Sequence, residues 1–221
     1  MDECLPPLIR DSKYFMYPFY FLAYRGRNIK QVMDFKKEVH HYTPEQYEHF
    51  YNNLNSISRN RVTDINQPSL KFILENMVKD AVNVADIGCG NGYLLKQIKN
   101  YHPHLELFGC DIKDKDDSPD YKYIKANIEN LPFEDKSIDI VTCSHTLEHI
   151  IQPEKAISEL KRIARKQVII AVPCQRYFYY TLDEHVNFFP FKETLTSLIN
   201  IPHYSCKKIH GDWLYLGLIT Q

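Results

Sequence analysis

The stretch VADIGCGNGYLLKQI, residues 84–98, constrains this chain more than any other. An apolar run that reads as a buried strand leads into three alternating glycines, Gly88, Gly90 and Gly92, and then into a helical pattern. A strand, a G-x-G-x-G turn and a helix let a nucleotide-like ligand lie against bare backbone at the strand's carboxyl end. No Gly-Lys-Ser or Gly-Lys-Thr follows, so a Walker loop is excluded. The dinucleotide fingerprint needs its third glycine at residue 93, where Tyr93 stands. Asp86, just before the first glycine, would repel a pyrophosphate and suits a ligand carrying ammonium and sulfonium groups.

Strands and helices alternate through the rest of this half. LELFGCDI, YKYIKAN, SIDIVTCS and KQVIIAVP read as further strands. PEKAISELKRIAR is an amphipathic helix with Pro153 in its first turn, FKETLTSLIN is a second helix, and YSCKKIH-GD-WLYLGLIT is a closing antiparallel pair. This order means a mostly parallel, Rossmann-like α/β sheet covered on both faces, with ligands at the carboxyl ends of its strands. Asp111 closes the second strand 19 residues after Gly92, where a carboxylate can accept hydrogen bonds from ribose hydroxyls.

Residues 1–66 read differently, as a helical extension rich in Tyr and Phe. YTPEQYEHFYNNL carries a helix start, with Thr43 as cap, Pro44 at the first position and Gln46 reaching back. SKYFMYPFYFLAY is an aromatic run interrupted by Pro18. The formal net charge of -1 gives no global attraction to nucleic acid or to an anionic membrane. No apolar stretch reaches membrane-span length, and the start of the sequence lacks the basic, then apolar, order of a signal peptide. The six cysteines are far apart, with no CxxC pair, so neither a disulfide framework nor a zinc ribbon is expected. A cytoplasmic monomer or homodimer acting on a small molecule, with no nucleic-acid or membrane partner, is the resulting expectation.

VADIGCGNGYLL, FGCDI, ANIENLPFEDKSIDIVTCSHTLEHI and PEKAISELKRI occur in order and together resemble the class I S-adenosylmethionine-dependent methyltransferases. The resemblance is to the small-molecule type 11 family, which includes the ubiquinone-pathway O-methyltransferases. It implies a seven-stranded sheet with the last strand antiparallel, over a domain of residues 67–221. It also implies roles. Asp86, Gly88, Gly90 and Gly92 hold the methionine part of S-adenosylmethionine. Asp111 binds the ribose, Ile112 packs near the adenine, and Asn127 and Ile128 flank the adenine ring. Ser144 and His145 face the reactive end.

HTLEHI matches the inverted zinc-protease string, but here it follows a sheet strand inside a methyltransferase motif. It is also similar to a divalent-metal site of the small-RNA 2'-O-methyltransferases and of ubiquinone-pathway enzymes. On that resemblance Glu148, His149 and His185 are ligands, with His145 in a fourth position usually held by Glu. More nitrogen donors move the preference from Mg2+ towards Mn2+, Fe2+ or Zn2+. Without a metal, His145, His149 or His185 would be the general base. The histidines favour an oxygen nucleophile. Tyr14 and Tyr17 of the extension, with Arg176 and Tyr177 after the fifth strand, are the candidate substrate contacts, and Arg59 and Arg61 could hold an anionic group. The alternatives are an RNA methyltransferase, a metal-independent N-methyltransferase using a His base, and a non-catalytic cofactor-binding protein. The balanced charge argues against RNA.

Overall fold

A computed structural model of the chain describes residues 5–53, 61–115 and 118–220. Seven strands, β1 (Asn83–Ile87), β2 (Glu106–Asp111), β3 (Lys122–Lys125), β4 (Ile138–Ser144), β5 (Ala164–Pro173), β6 (His203–Ile209) and β7 (Asp212–Leu218), form one sheet in the order β3-β2-β1-β4-β5-β7-β6. β1 to β5 are mutually parallel, and β7 runs antiparallel between β5 and β6. The His210-Gly211 turn closes the last hairpin.

β5 shows why both faces are covered. Val168, Ile170 and Val172 enter one apolar cluster, while Ile169 and Ala171 enter the other. Alternate strand residues face opposite sides, so a continuous Val/Ile run needs helices on both. On one side lie α7 (Pro153–Ile163) and α8 (Lys192–Ile199), with Ala156, Ile157, Leu160 and Ile163 of α7 forming its buried stripe. On the other lie α5 (Gln67–Glu75) and α6 (Tyr93–Tyr101).

The extension supplies α1 (Pro7–Arg10), α2 (Lys13–Ala23), α3 (Ile29–Glu38) and α4 (Pro44–Asn53). At the start of α4 the Gln46 amide N–H donates to the Thr43 hydroxyl, and Gln46 Oε1 accepts from the Thr43 N–H (3.3 and 2.9 Å). Pro18 does not interrupt α2, contrary to the expectation from sequence. Its missing N–H would have bonded to Tyr14, in the first turn, so little of the ladder is lost.

These helices form a third apolar cluster, which also takes in Tyr180 from the segment after β5. Polar bonds reach the same segment. Tyr20 donates to the Thr181 carbonyl (2.6 Å), Arg10 to the Tyr180 carbonyl, Lys36 to the Phe178 carbonyl and Tyr24 to Glu184. The Asp11 carboxylate accepts from the Tyr179 N–H (2.7 Å). The extension thus grips the loop that carries His185.

Candidate active site

A cleft of about 720 Å3 lies over the carboxyl ends of β1, β2 and β4. Its floor is the glycine turn. The Asp111 carboxylate accepts from the N–H of Gly90 (2.8 Å) and of Lys113 (3.1 Å), tying the turn to the end of β2. The three glycines differ in kind. A Cβ on Gly88 would overlap the Thr146 side chain, and one on Gly92 would overlap the Tyr121 ring. At Gly90 (φ +49°) a Cβ would meet nothing within 4 Å. Only Gly90 therefore leaves its small size to a ligand; the other two admit the protein's own side chains. Gly92 lies off the cleft wall, which is a correction to its expected cofactor contact.

Asp86, Ile112, Asn127, Ile128, Ser144 and His145 line the cleft with Gly88, Gly90 and Asp111. Asp86 is buried and accepts from the Thr142 hydroxyl (2.7 Å). Burial pushes its carboxyl up to about 7, against the pull of that hydrogen bond. Asn127 Oδ1 accepts from the Glu129 N–H (2.9 Å), which orients its amide at the cleft.

The turn after β4 carries the second group of functional residues. His145 has φ +50°, a left-handed conformation that costs a non-glycine residue on the order of 1 kcal/mol. A 3-10 turn, Leu147–His149, follows. The Glu148 carbonyl accepts from the N–H groups of Val186 and Asn187 (2.8 and 2.9 Å), which brings the neighbouring His185 to this turn. Ligand atoms of Glu148, His149 and His185 consequently lie within 4.8 Å of one another.

Each imidazole is held through Nδ1. That of His185 bonds to Gln175 Oε1 (2.7 Å), and that of His149 to the Tyr51 hydroxyl (3.2 Å). This leaves each Nε2 as the available donor. Tyr47 donates to the His149 carbonyl. Burial, and then His149, push His185 down to about 3, so its ring is neutral.

Glu148 is fully buried, and its Oε2 has no hydrogen-bond partner among the described residues. Its other oxygen lies 3.5 Å from His145 Nδ1. His145 does not join the cluster, which corrects the expected fourth ligand. Its Nε2 lies 3.6 Å from Asp212, so the ring sits between two carboxylates. Burial opposes its charge, but Asp212 and Glu148 outweigh burial and raise it to about 10.

The four expected substrate contacts are elsewhere. Tyr14 and Tyr17 point outward. Arg176 donates to the Leu5 carbonyl (2.8 Å) and packs over Phe178. Tyr177 is exposed and meets the Phe188 ring edge to face (centroids 5.1 Å apart). None of the four lines the cleft. Its wall comes instead from Tyr42, Tyr47 and Tyr51, with Tyr123 of β3. The i, i+4 spacing of Tyr47 and Tyr51 on α4 was the available signal. Arg61 lies at the rim, paired with Asp64 (3.0 Å); Arg59 lies outside the described residues.

A seven-stranded sheet with β7 antiparallel, a glycine turn after β1 and a carboxylate ending β2 define the class I methyltransferase fold. Residues 85–172 match the family described as "Methyltransferase domain". The chain is similar to the ubiquinone/menaquinone biosynthesis C-methyltransferase of Campylobacter jejuni, 31% identical over 45% of this chain and 47% of that protein. It is also similar to the ubiquinone biosynthesis O-methyltransferase of Hahella chejuensis, 27% identical over 58% of this chain and 55% of that protein. The chain thus spans about half the length of the curated relatives it matches. Its fold is shared by magnesium protoporphyrin IX methyltransferase from Synechocystis (TM-score 0.58, 13% identity, 78% of this chain and 98% of that one). Among the described residues no helix is long and apolar enough to cross a membrane.

Proposed function

We propose that this chain is an S-adenosylmethionine-dependent methyltransferase that methylates a hydroxyl group of a small molecule, with a divalent cation held by Glu148, His149 and His185. The observation that carries the reading is the orphaned, buried Glu148 Oε2, converging with two imidazoles at the cleft that also holds the glycine turn. A buried carboxylate oxygen without a partner is costly, and a cation is the ligand that removes the cost. Two nitrogen donors and one carboxylate suit Mn2+, Fe2+ or Zn2+ better than Mg2+.

The cleft also fits the cofactor. Its volume is in the range of a small-molecule site, and its floor is open at Gly90. S-adenosylmethionine supplies an electrophilic methyl group. On this reading Asp86, which lines the cleft, would meet the cofactor's ammonium group, whose charge would restore its ionised form. Asp111 retains acceptor capacity for ribose hydroxyls. Tyr42, Tyr47 and Tyr51 wall the cleft beside the cluster. A divalent cation held by Glu148, His149 and His185 would supply Lewis-acid activation of a substrate hydroxyl. The names of the similar proteins include both C- and O-methylation; the cluster favours oxygen.

In calorimetry, Gly90→Asp and Asp111→Ala should lose S-adenosylmethionine binding, while His149→Ala and His185→Ala keep it. The two His variants should fail to bind Mn2+ and be nearly inactive on a panel of hydroxylated metabolites, assayed as release of S-adenosylhomocysteine. Chelator should stop turnover and Mn2+ restore it. Full activity in excess chelator, with no ion found by metal analysis, would overturn the metal and leave a histidine as general base.

A further inference from the structure

Helix α2, KYFMYPFYFLA, is apolar on the side where a surface helix should be polar. Its inner face, Met16, Tyr20 and Ala23, is buried. At 100° per residue, Tyr14, Tyr17, Pro18, Phe21 and Leu22 fall within an arc of about 140° on the opposite side. All five are exposed, Tyr14 at 91% and Leu22 at 75% among them. No charged or amide side chain interrupts this arc. In the preceding turn, Leu8 adds a further exposed apolar group at 89%. Contiguous apolar surface of this kind marks an interaction site.

The charged side chains between Ser12 and Met33 are all basic. Lys13 stands at the start of the helix, and Arg25, Arg27 and Lys30 follow its end; all four are exposed. From Ser12 to Met33 the chain contains no carboxylate side chain. The near-neutral total hides this local excess. We propose that the outer face of α2 docks on an anionic lipid bilayer, lying in the interface with the aromatic and leucine side chains in the headgroup layer.

The chemistry matches on three counts. Tyrosine and phenylalanine favour the interfacial layer, and basic residues beside them meet anionic headgroups. At 11 residues α2 is too short to span, since a span needs about 20, so it lies on the surface. A second copy of the chain is the weaker occupant. A two-fold contact places the same patch on itself, bringing the four cations against their counterparts. The inner face of α2 is bonded to the segment before His185, through Tyr20 to the Thr181 carbonyl. Docking would therefore set the bilayer about one helix diameter, roughly 10 Å, from that segment. The proposal is independent of the metal and of the methyl acceptor.

The test uses the full chain and vesicles of phosphatidylcholine alone or of an equal mixture of phosphatidylcholine and phosphatidylserine. The chain should co-sediment with the mixed vesicles, less with the neutral ones, and less again as salt is raised. Each basic residue near an anionic surface contributes about fivefold, so Arg25→Gln/Arg27→Gln should weaken binding roughly 25-fold. Phe21→Ser/Leu22→Ser should weaken it at all salt concentrations while leaving the melting temperature nearly unchanged, because both side chains are exposed. Failure of the unaltered chain to sediment with mixed vesicles at low salt overturns the proposal. So does undiminished binding by both variants. A vesicle-free dimer that Phe21→Ser/Leu22→Ser dissolves, without vesicle binding, would assign the patch to a second copy instead.

Discussion

Asp86→Asn should separate folding from cofactor binding. Burial raises the Asp86 carboxyl from 3.8 to about 7. At about 1.36 kcal/mol per tenfold change in proton affinity, this corresponds to at most about 4 kcal/mol. The sign follows from linkage. Well below pH 3.8 the group is neutral in both the folded and unfolded chain, and no penalty applies. As pH rises towards 7, the unfolded carboxyl ionises freely while the folded one is held back, so the folded chain loses stability across that window. Asparagine keeps the oxygen that accepts the Thr142 hydroxyl bond but has no charge to desolvate. Without ligand, Asp86→Asn should melt close to the unaltered chain at pH 4 and several degrees higher, up to about 10 °C, at pH 8. S-adenosylmethionine should raise the melting temperature of the unaltered chain by mass action but scarcely move that of the variant. Circular dichroism melts from pH 4 to 8, with and without ligand, decide the matter. Parallel pH profiles for the two proteins would refute the burial argument. An equal ligand-induced shift would refute the role of Asp86 at the ammonium group.

Gly88→Ala should cost more stability than Gly90→Ala, by about 1–3 kcal/mol, because only the former drives a Cβ into Thr146; denaturant titrations of the pair measure the difference. Gln175→Leu removes the acceptor that holds His185 Nδ1 and should lower Mn2+ affinity by roughly 10- to 100-fold while S-adenosylmethionine affinity stays constant. Calorimetric titration of both ligands checks this, and unchanged metal affinity would show that Gln175 does not set the ring.

The residues themselves determined much of this protein. The strands and helices of the sheet half follow from apolar runs and periodicity, which are local properties. So does the start of α4, because a capping box closes within four residues. The glycine turn and Asp111 were legible for the same reason: a fixed order of strand, turn and helix places them at adjacent strand ends. Glu148, His149 and His185 were reached only through resemblance, since no spacing in one sequence tells that a loop 36 residues further on returns to the same turn.

Tertiary structure alone decided the rest. An aromatic-rich helix can be identified from composition, but which of its faces is covered depends on contacts made far along the chain. Tyr20 and Tyr24 bond to the segment near residue 182, whereas Tyr14 and Tyr17, on the same helix, face outward. Tyr51 meets His149 across 98 residues of sequence and Arg176 meets Leu5 across 171, so cleft wall and extension anchor changed places relative to expectation. His145 illustrates the same limit. Its neighbour in sequence, Glu148, was foreseeable, but Asp212, arriving at the first residue of β7, is what places the ring between two carboxylates and outside the cluster. Local pattern determines which elements form; only the packing of distant elements determines which side chains share a space.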